Sequence, residues 1–480
     1  METRILKVQR RTPLTVAVIC AALLASCGGG DGDAEPPAAA APAPITELSQ
    51  SGKLSDGTEY GFIIPPNWNG TLLLDLDFLM SWKGGNYQAL FAQGYGAAGV
   101  MRNYTDPVGG QYIRPWVERN LQAADLVAAK VGKPKRTIAW GNSRGGHVAE
   151  ATAELYPQRI DAAIPKCVYG GAATIMNQDL DVNFALKMLL APGDSTLPLV
   201  NISKGPATPT AIGLAPALTG WNQLLAQASV TPQGRARLAL AAAIGQLPDW
   251  ADASKSRPNP NDPQSVAAGW LDYLKVRVGG GGTYSFMRPV YETSAGGNFS
   301  WNVGVDYRQL LTGHRKDVVQ ALYKQAELDL DKDIDTINAG PRVAPDTAAS
   351  WFLRDPSVNY SGNLTVPMLT MMTIGDTLLP VTGIWALQEA ARNAGKSNML
   401  RMTFTEAVGH CTFSIAEDLA LVETMKRRLD SGSWDDTSPA HMNALAKSYD
   451  AGDTRFIDYQ LEPLGRIHLL GDPYPTGGLR

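Results

Sequence analysis

Residues 136–146 read Arg136-Thr137-Ile138-Ala139-Trp140-Gly141-Asn142-Ser143-Arg144-Gly145-Gly146. A short apolar run leads straight into Gly-x-Ser-x-Gly, and Gly145–Leu155 then reads as a helix that stops before Pro157. A strand turning sharply into a helix lifts a serine Oγ above the sheet edge. A side chain at Gly141 or Gly145 would crowd that turn, and Gly146 lets the following helix pack close. The N–H of Arg144, at the helix N-terminus, points to where charge would form on an attacked carbonyl oxygen. The five-residue motif alone is weak, and the alternative is a glycine-rich turn with a surface serine. The strand before it and the helix after it make Ser143 the candidate nucleophile.

The pattern on either side of this turn alternates strand and helix. Ile45–Gln50 and Glu59–Pro65 flank Ser55-Asp56-Gly57 and predict an opening hairpin. Thr71–Asp77 reads as a strand, Tyr87–Gln93 as a helical connector and Gly94–Met101 as a strand. Pro115–Val131 has helical spacing with Pro near its first turn, and Ile160–Val168 is another strand. This rhythm predicts a mostly parallel, doubly wound sheet with helices on both faces. After about residue 175 the pattern is helical, with Trp221–Ser229, Gly234–Gln246, Ser265–Val278 and Arg315–Ala326 as examples and a flexible joint at Gly279–Thr283. Strands resume at Leu364–Thr373 and Leu400–Phe404, with helices at Ile384–Ala394 and Ile415–Leu429. The expected core is therefore 45–175 with 350–480, interrupted by a helical insertion over 176–349. The tail after about residue 431 is expected either to strap the sheet or to cover the insertion.

Composition bounds the function. The 480 residues carry 42 Lys and Arg against 46 Asp and Glu, so the net charge of −4 offers no basic face for nucleic acid. At 44% hydrophobic the chain is too apolar for disorder, and four Cys make no disulfide scaffold or zinc framework. At the N-terminus, Arg4, Lys7, Arg10 and Arg11 precede an apolar run, Leu14–Ala25, too short to span a bilayer. Leu24-Ala25-Ser26-Cys27 then resembles the lipobox of bacterial lipoproteins. That resemblance implies a signal peptide over 1–26, lipidation of Cys27 and export, with Gly28 favouring the outer membrane; the alternative is an ordinary signal peptide cut nearby. Residues 27–44, rich in Gly, Ala and Pro, read as the lipidated Cys and a disordered tether.

An unaided serine hydroxyl does not attack; it needs a base, and the base needs an orienting acid. Of five His, three follow residue 350: His410, His441 and His468. His410 lies in Val408-Gly409-His410-Cys411-Thr412-Phe413, between a strand and the last predicted helix, whereas the other two lie in the tail. Asp376, in Thr373-Ile374-Gly375-Asp376-Thr377-Leu378-Leu379-Pro380, also follows a strand end, where open α/β sheets place ligands. The alternatives are a satisfied loop histidine and a turn-capping aspartate.

The GNSRGG turn, the TIGDTLLPV loop and the VGHCTF loop together resemble the α/β-hydrolase family, in its secreted bacterial esterase-like members, over most of 57–430. The resemblance implies an α/β-hydrolase fold with a large helical lid inserted after the sixth strand. It implies Ser143 as nucleophile, His410 as general base and Asp376 as its orienter, without metal or organic cofactor. The implied activity is hydrolysis of a small-molecule or oligomeric carboxylic ester through an acyl-enzyme, rising with pH through the histidine range. The rivals are a peptidase or amidase on the same fold and a binding lipoprotein without chemistry. The membrane enters only through the lipid anchor.

Many relatives carry His-Gly after the third strand; here Asp75-Leu76-Asp77-Phe78-Leu79 stands instead. The N–H of Phe78 is taken as the second oxyanion donor beside Arg144. Asp75 and Asp77, if both ionised, would oppose an anionic substrate; otherwise they hydrogen-bond neighbouring loops. Cys167 and Cys411 both fall at the sheet's active edge, and in an exported protein they are either a disulfide or two free buried thiols. Tannase and feruloyl-esterase relatives, more distantly similar, also have a Cys after the histidine but pair it with a Cys before the nucleophile; Asn142 stands there here. His147 is expected to pack, Arg144 to meet a substrate carboxylate or a salt bridge from the insertion. Asp329–Asp335 lacks calcium-loop spacing and reads as a solvated helix face. The Trp residues of the insertion suggest a sizeable aromatic or apolar substrate, or simply that insertion's core.

Overall fold

The N-terminal hairpin pairs β1 (Leu48–Lys53) with β2 (Glu59–Ile64), closed by a turn in which Leu54 N–H donates to Thr58 O and Gly57 takes φ 87°. The computed structural model describes residues 47–102, 112–202, 214–279 and 287–475. The signal peptide, Cys27 and tether expected over 1–44 lie outside the described residues, as does most of the expected joint at Gly279–Thr283.

β3 (Thr71–Leu74), β4 (Gly96–Val100), β5 (Arg136–Asn142), β6 (Ala162–Lys166), β7 (Met368–Gly375), β8 (Leu400–Val408) and β9 (Phe456–Ile457) complete a nine-stranded sheet among the described residues. The order is β1-β2-β4-β3-β5-β6-β7-β8-β9, parallel from β4 through β8 and antiparallel at both edges. This is the α/β, doubly wound, mostly parallel sheet that the alternation predicts. β3, β4, β6 and β7 are buried at every residue because helices cover both faces. Side chains alternate: Leu73 joins Tyr87, Leu90 and Leu419 on one face, while Leu72 and Leu74 join Trp116 and Val148 on the other.

Between β6 and β7 the chain is helical, from Ala172–Leu190 through Leu214–Ser229, Pro232–Ile244, Pro263–Leu274, Arg288–Ala295, Gly313–Gln325 and Leu330–Ala339. It has a core of its own that takes up Trp221, Trp270 and Tyr307. Those tryptophans are packing residues, so they carry no argument about substrate. Asp329 caps Leu330–Ala339 by accepting from Lys332 N–H, and Asp333 pairs with Arg237. No helix of the described residues is long and apolar enough to cross a membrane.

The helix Ile415–Ser431 opens with a capping box between Ser414 and Glu417, but it does not close the fold. The helix Pro439–Lys447 and β9 come after it, and the chain then runs back over the insert. Gln246 Nε2 donates to Pro463 O at 2.8 Å, Arg466 pairs with buried Asp181 at 2.8 Å, and His468 N–H donates to Thr174 Oγ1 at 3.0 Å. The tail thus does both of the things expected of it as alternatives.

Candidate active site

Ser143 follows β5 directly, with φ 53° and ψ −117°, a conformation L residues rarely hold. Its N–H donates to Lys166 O at 3.0 Å, and its carbonyl accepts from His147 N–H as the helix Arg144–Leu155 begins. A Cβ on Gly141 would lie 2.5 Å from the carbonyl carbon of Gly145, and one on Gly146 would lie 2.4 Å from Val168 Cγ1. The glycines around Ser143 are therefore demanded by the turn itself.

Asp376 follows β7 and is fully buried. Its Oδ1 accepts from the N–H groups of Leu378 and Leu379, at 2.9 and 2.8 Å, which fixes the carboxylate. Two side chains from the insert clamp the same loop: Tyr273 Oη donates to Asp376 O at 2.5 Å and Arg277 Nη1 to Leu378 O at 2.9 Å. His410 follows β8, where Gly409 N–H donates to Gly375 O and Thr373 Oγ1 donates to Gly409 O. Its Nδ1 lies 2.8 Å from Asp376 Oδ2 and 3.0 Å from Oδ1. Its Nε2 is buried and makes no hydrogen bond, so the contact to Ser143 Oγ is open in this conformation.

Cys167 and Cys411 are joined in a disulfide, Cα to Cα 5.4 Å. A His410 ring nitrogen lies within 4.8 Å of both sulfurs. That trio is the one cluster of metal-ligand spacing among the described residues, and its sulfurs are committed to each other.

Ser143 and Cys411 share the wall of a cavity of about 530 Å³ with Asp75, Asp77, Arg102 and Lys166. Asp77 sits at φ 70°, accepts Arg102 N–H at 3.1 Å and forms an ion pair with the Arg102 side chain. Phe78 is the first residue of the short helix Phe78–Ser81, a position with no intrahelical acceptor for its N–H. Its ring packs edge-on against Tyr87, 5.3 Å between centroids. Tyr87 Oη donates to Asp75 Oδ2 at 2.5 Å, and burial pushes the Asp75 carboxyl up to about 8. Of the two readings of these acids, the structure shows the second: Asp75 accepts from Tyr87 and Asp77 from Arg102, each on a neighbouring segment. Lys166, pulled down by burial and pushed back up by Asp418, forms a buried ion pair with it at 2.5 Å and lies 3.6 Å from the Trp140 ring centroid. Sequence reading missed this pair, whose partners stand 252 residues apart.

His147 is buried, with Nδ1 2.9 Å from Glu150 Oε2 and its ring 4.0 Å from that of Tyr169. Arg144 is buried as well. His468 is held in the tail, with Nε2 3.2 Å from Leu353 O, and His441 faces Asp435 at the surface.

No family model matches the sequence. Over 438 residues the chain is 31% identical to the o-phthalyl amidase of Xanthobacter agilis, covering 86% of this chain and 94% of that one. Among solved structures, feruloyl esterase B from Aspergillus oryzae aligns with a TM-score of 0.40 at 10% identity over 81% of each chain. The cell-wall-degrading esterase LipA from Xanthomonas oryzae aligns with a TM-score of 0.32 at 12% identity, over 80% of this chain and 87% of that one. The structural likenesses are too loose to argue from, whereas the amidase shares nearly the whole chain. With its doubly wound sheet and its identity to that enzyme along most of its length, the chain belongs to the o-phthalyl amidase's family, among the α/β-hydrolases.

Proposed function

We propose that the chain is a serine hydrolase that cleaves an amide of an aromatic carboxylic acid, of the o-phthalyl type for which its relative is named. The observation that carries the serine chemistry is the 2.8 Å contact between His410 Nδ1 and Asp376, with Nε2 left unbonded. With Nδ1–H given to the carboxylate, Nε2 is the bare nitrogen that a base needs. Ser143 Oγ attacks the carbonyl carbon as Nε2 takes its proton. The N–H groups of Arg144 and Phe78 receive the oxyanion. Collapse breaks the C–N bond, and Nε2–H protonates the departing amine. Water then attacks the acyl-enzyme by the same path and releases the acid. Carboxylic esters undergo the same steps with an easier leaving group, so ester hydrolysis belongs to this reading.

The same reading takes the helical stretch over 176–349 as a lid; its Tyr273 and Arg277 already bond to the loop of Asp376. It also takes the protein as exported and anchored through Cys27, a proposal supported by the leader and by a disulfide of the kind oxidising compartments preserve. A Cys27→Ser protein that still partitions with membranes would remove the anchor from it.

The test is fluorophosphonate labelling of the soluble chain from residue 45, with the adduct located by mass spectrometry. The expected adduct is on Ser143 and absent from His410→Ala. Phthalyl monoamides and the matching esters are then compared as substrates. Folded protein without adduct overturns the serine mechanism; labelled protein that turns over esters but no amide overturns the amide assignment.

A further inference from the structure

We propose that Asp75 is a positioning residue that gates this reaction by its own protonation: as an uncharged acid it fills the notch beside the Ser143 turn and lets negative charge form on the acyl oxygen, and as a carboxylate it opposes that charge. The inference rests on the serine-hydrolase reading.

Its basis is where the carboxyl sits. Asp75 leaves β3 with its N–H on Ala98 O at 2.9 Å, and its carbonyl lies where a Cβ on Gly99 would stand, 1.6 Å away. The side chain then fills the notch beside the serine. Its Oδ1 is 2.7 Å from the place of a Cβ on Gly141 and 2.8 Å from that of one on Gly145. The space freed by the glycines on either side of Ser143 is thus occupied by one carboxyl oxygen, next to the helix start where an oxyanion would be received. Oδ2 is held by Tyr87, while Oδ1 is buried without a hydrogen-bond partner, on the wall of the cavity that Ser143 lines.

The charged and titratable groups facing Asp75 are Tyr87 from the helix Gly85–Ala92, Asp77 on its own loop, Arg102 after β4 and Lys166 at the end of β6. Asp418 stands beyond Lys166 and engages it directly. Burial outweighs these groups and raises the carboxyl to about 8, so the neutral form prevails at neutral pH and is lost in mild alkali. Two like charges ~6 Å apart at an effective dielectric of ~20 repel strongly enough to slow a step by roughly a hundredfold, which sets the scale of the effect.

The experiment tracks the rate at which a fluorophosphonate labels Ser143 in the full-length protein, from about pH 6 to about pH 10. The wild type is expected to lose rate above about 8. Asp75→Asn, uncharged at every pH, is expected to stay within about tenfold of wild type at neutral pH and to lose the alkaline fall. Tyr87→Phe removes the donor that holds the Asp75 carboxyl down, so its fall is expected to move to higher pH; it serves as the second variant if Asp75→Asn does not fold. An alkaline fall unchanged in Asp75→Asn, as deprotonation of Lys166 would give, or unmoved in Tyr87→Phe, overturns the assignment of Asp75 alone. No label on Ser143 in the wild type overturns the serine-hydrolase reading and this inference together.

Discussion

Cys167 is bonded to Cys411, the residue that follows His410. Ser143 donates its N–H to the carbonyl of Lys166, the residue before Cys167. A turn at the end of β5, the end of β6 and the histidine loop after β8 are thereby tied into one short circuit. Both cysteines take left-handed backbone conformations, φ 45° and 57°, so the bond joins two tight turns rather than two flexible loops. His410 and Ser143 come from distant parts of the chain, and this bond restricts how far one can drift from the other.

With His410 as the proposed base, replacing both cysteines by serine is expected to lower activity through kcat more than through KM, because His410 loses its placement while the cavity stays. The bond closes a sequence separation of 244 residues. Its removal is expected to cost roughly 2–5 kcal/mol of stability. Thermal unfolding and steady-state kinetics of the double variant check both. Wild-type kinetics in that variant would show that the histidine loop is held without the bond.

Asp376→Asn separates orientation from folding. The asparagine carbonyl can still accept the N–H groups of Leu378 and Leu379, so the loop is expected to keep its shape. The amide NH2 then faces His410 Nδ1 and favours the tautomer with the proton on Nε2, which cannot act as base. A loss of kcat of about 10³–10⁴ with little change in unfolding midpoint is the expected result. A loss under tenfold in folded protein would remove Asp376 from its role.

The parts of this site that were legible in the sequence are those where local chemistry constrains residue type. A strand-to-helix turn around Ser143 demands its glycines, and Asp376 and His410 each stand in a short loop directly after a strand. The features that escaped were set by contacts between distant segments. Tyr87 meeting Asp75, Arg102 meeting Asp77 and Lys166 meeting Asp418 leave no periodic trace. For the tail the two expected roles could not be told apart in advance: β9 is two residues long, and the chain beyond it is held by particular contacts such as Arg466 with Asp181 and Leu470 N–H with Tyr360 O rather than by a pattern.

The Lys166–Asp418 pair is a buried ion pair in which loss of one partner leaves the other charge uncompensated. Both side chains are almost entirely buried, and Asn86 Nδ2 donates to the second Asp418 oxygen. Asp418→Ala strands a buried ammonium on the cavity wall and is expected to cost about 3–5 kcal/mol. Lys166→Met combined with Asp418→Leu replaces the pair with apolar volume and is expected to recover most of that stability. Urea unfolding of the single and double variants decides it. Equal losses in both would mean that the pair contributes packing rather than charge compensation.

Glu150 and His147 set a pH dependence of stability with two opposite arms. Burial raises Glu150 well above the usual carboxylate range, so the folded protein keeps a proton that the unfolded chain releases above about 4.5. Stability due to this group is full below that pH and falls as pH rises. Burial, with smaller contributions from Arg144 and His410, holds His147 well below the usual imidazole range. The unfolded chain therefore takes up a proton below about 6.5 that the folded protein refuses, and stability falls as pH drops. Glu150→Gln cannot ionise and removes only the first arm. Its stability relative to wild type is expected to grow with pH between about 5 and 8, by up to about 1.4 kcal/mol per unit, while the acid arm stays. Urea midpoints for the two proteins at stepped pH make the measurement. Parallel curves would mean that Glu150 binds its proton alike in the folded and unfolded chain, and would remove the first arm.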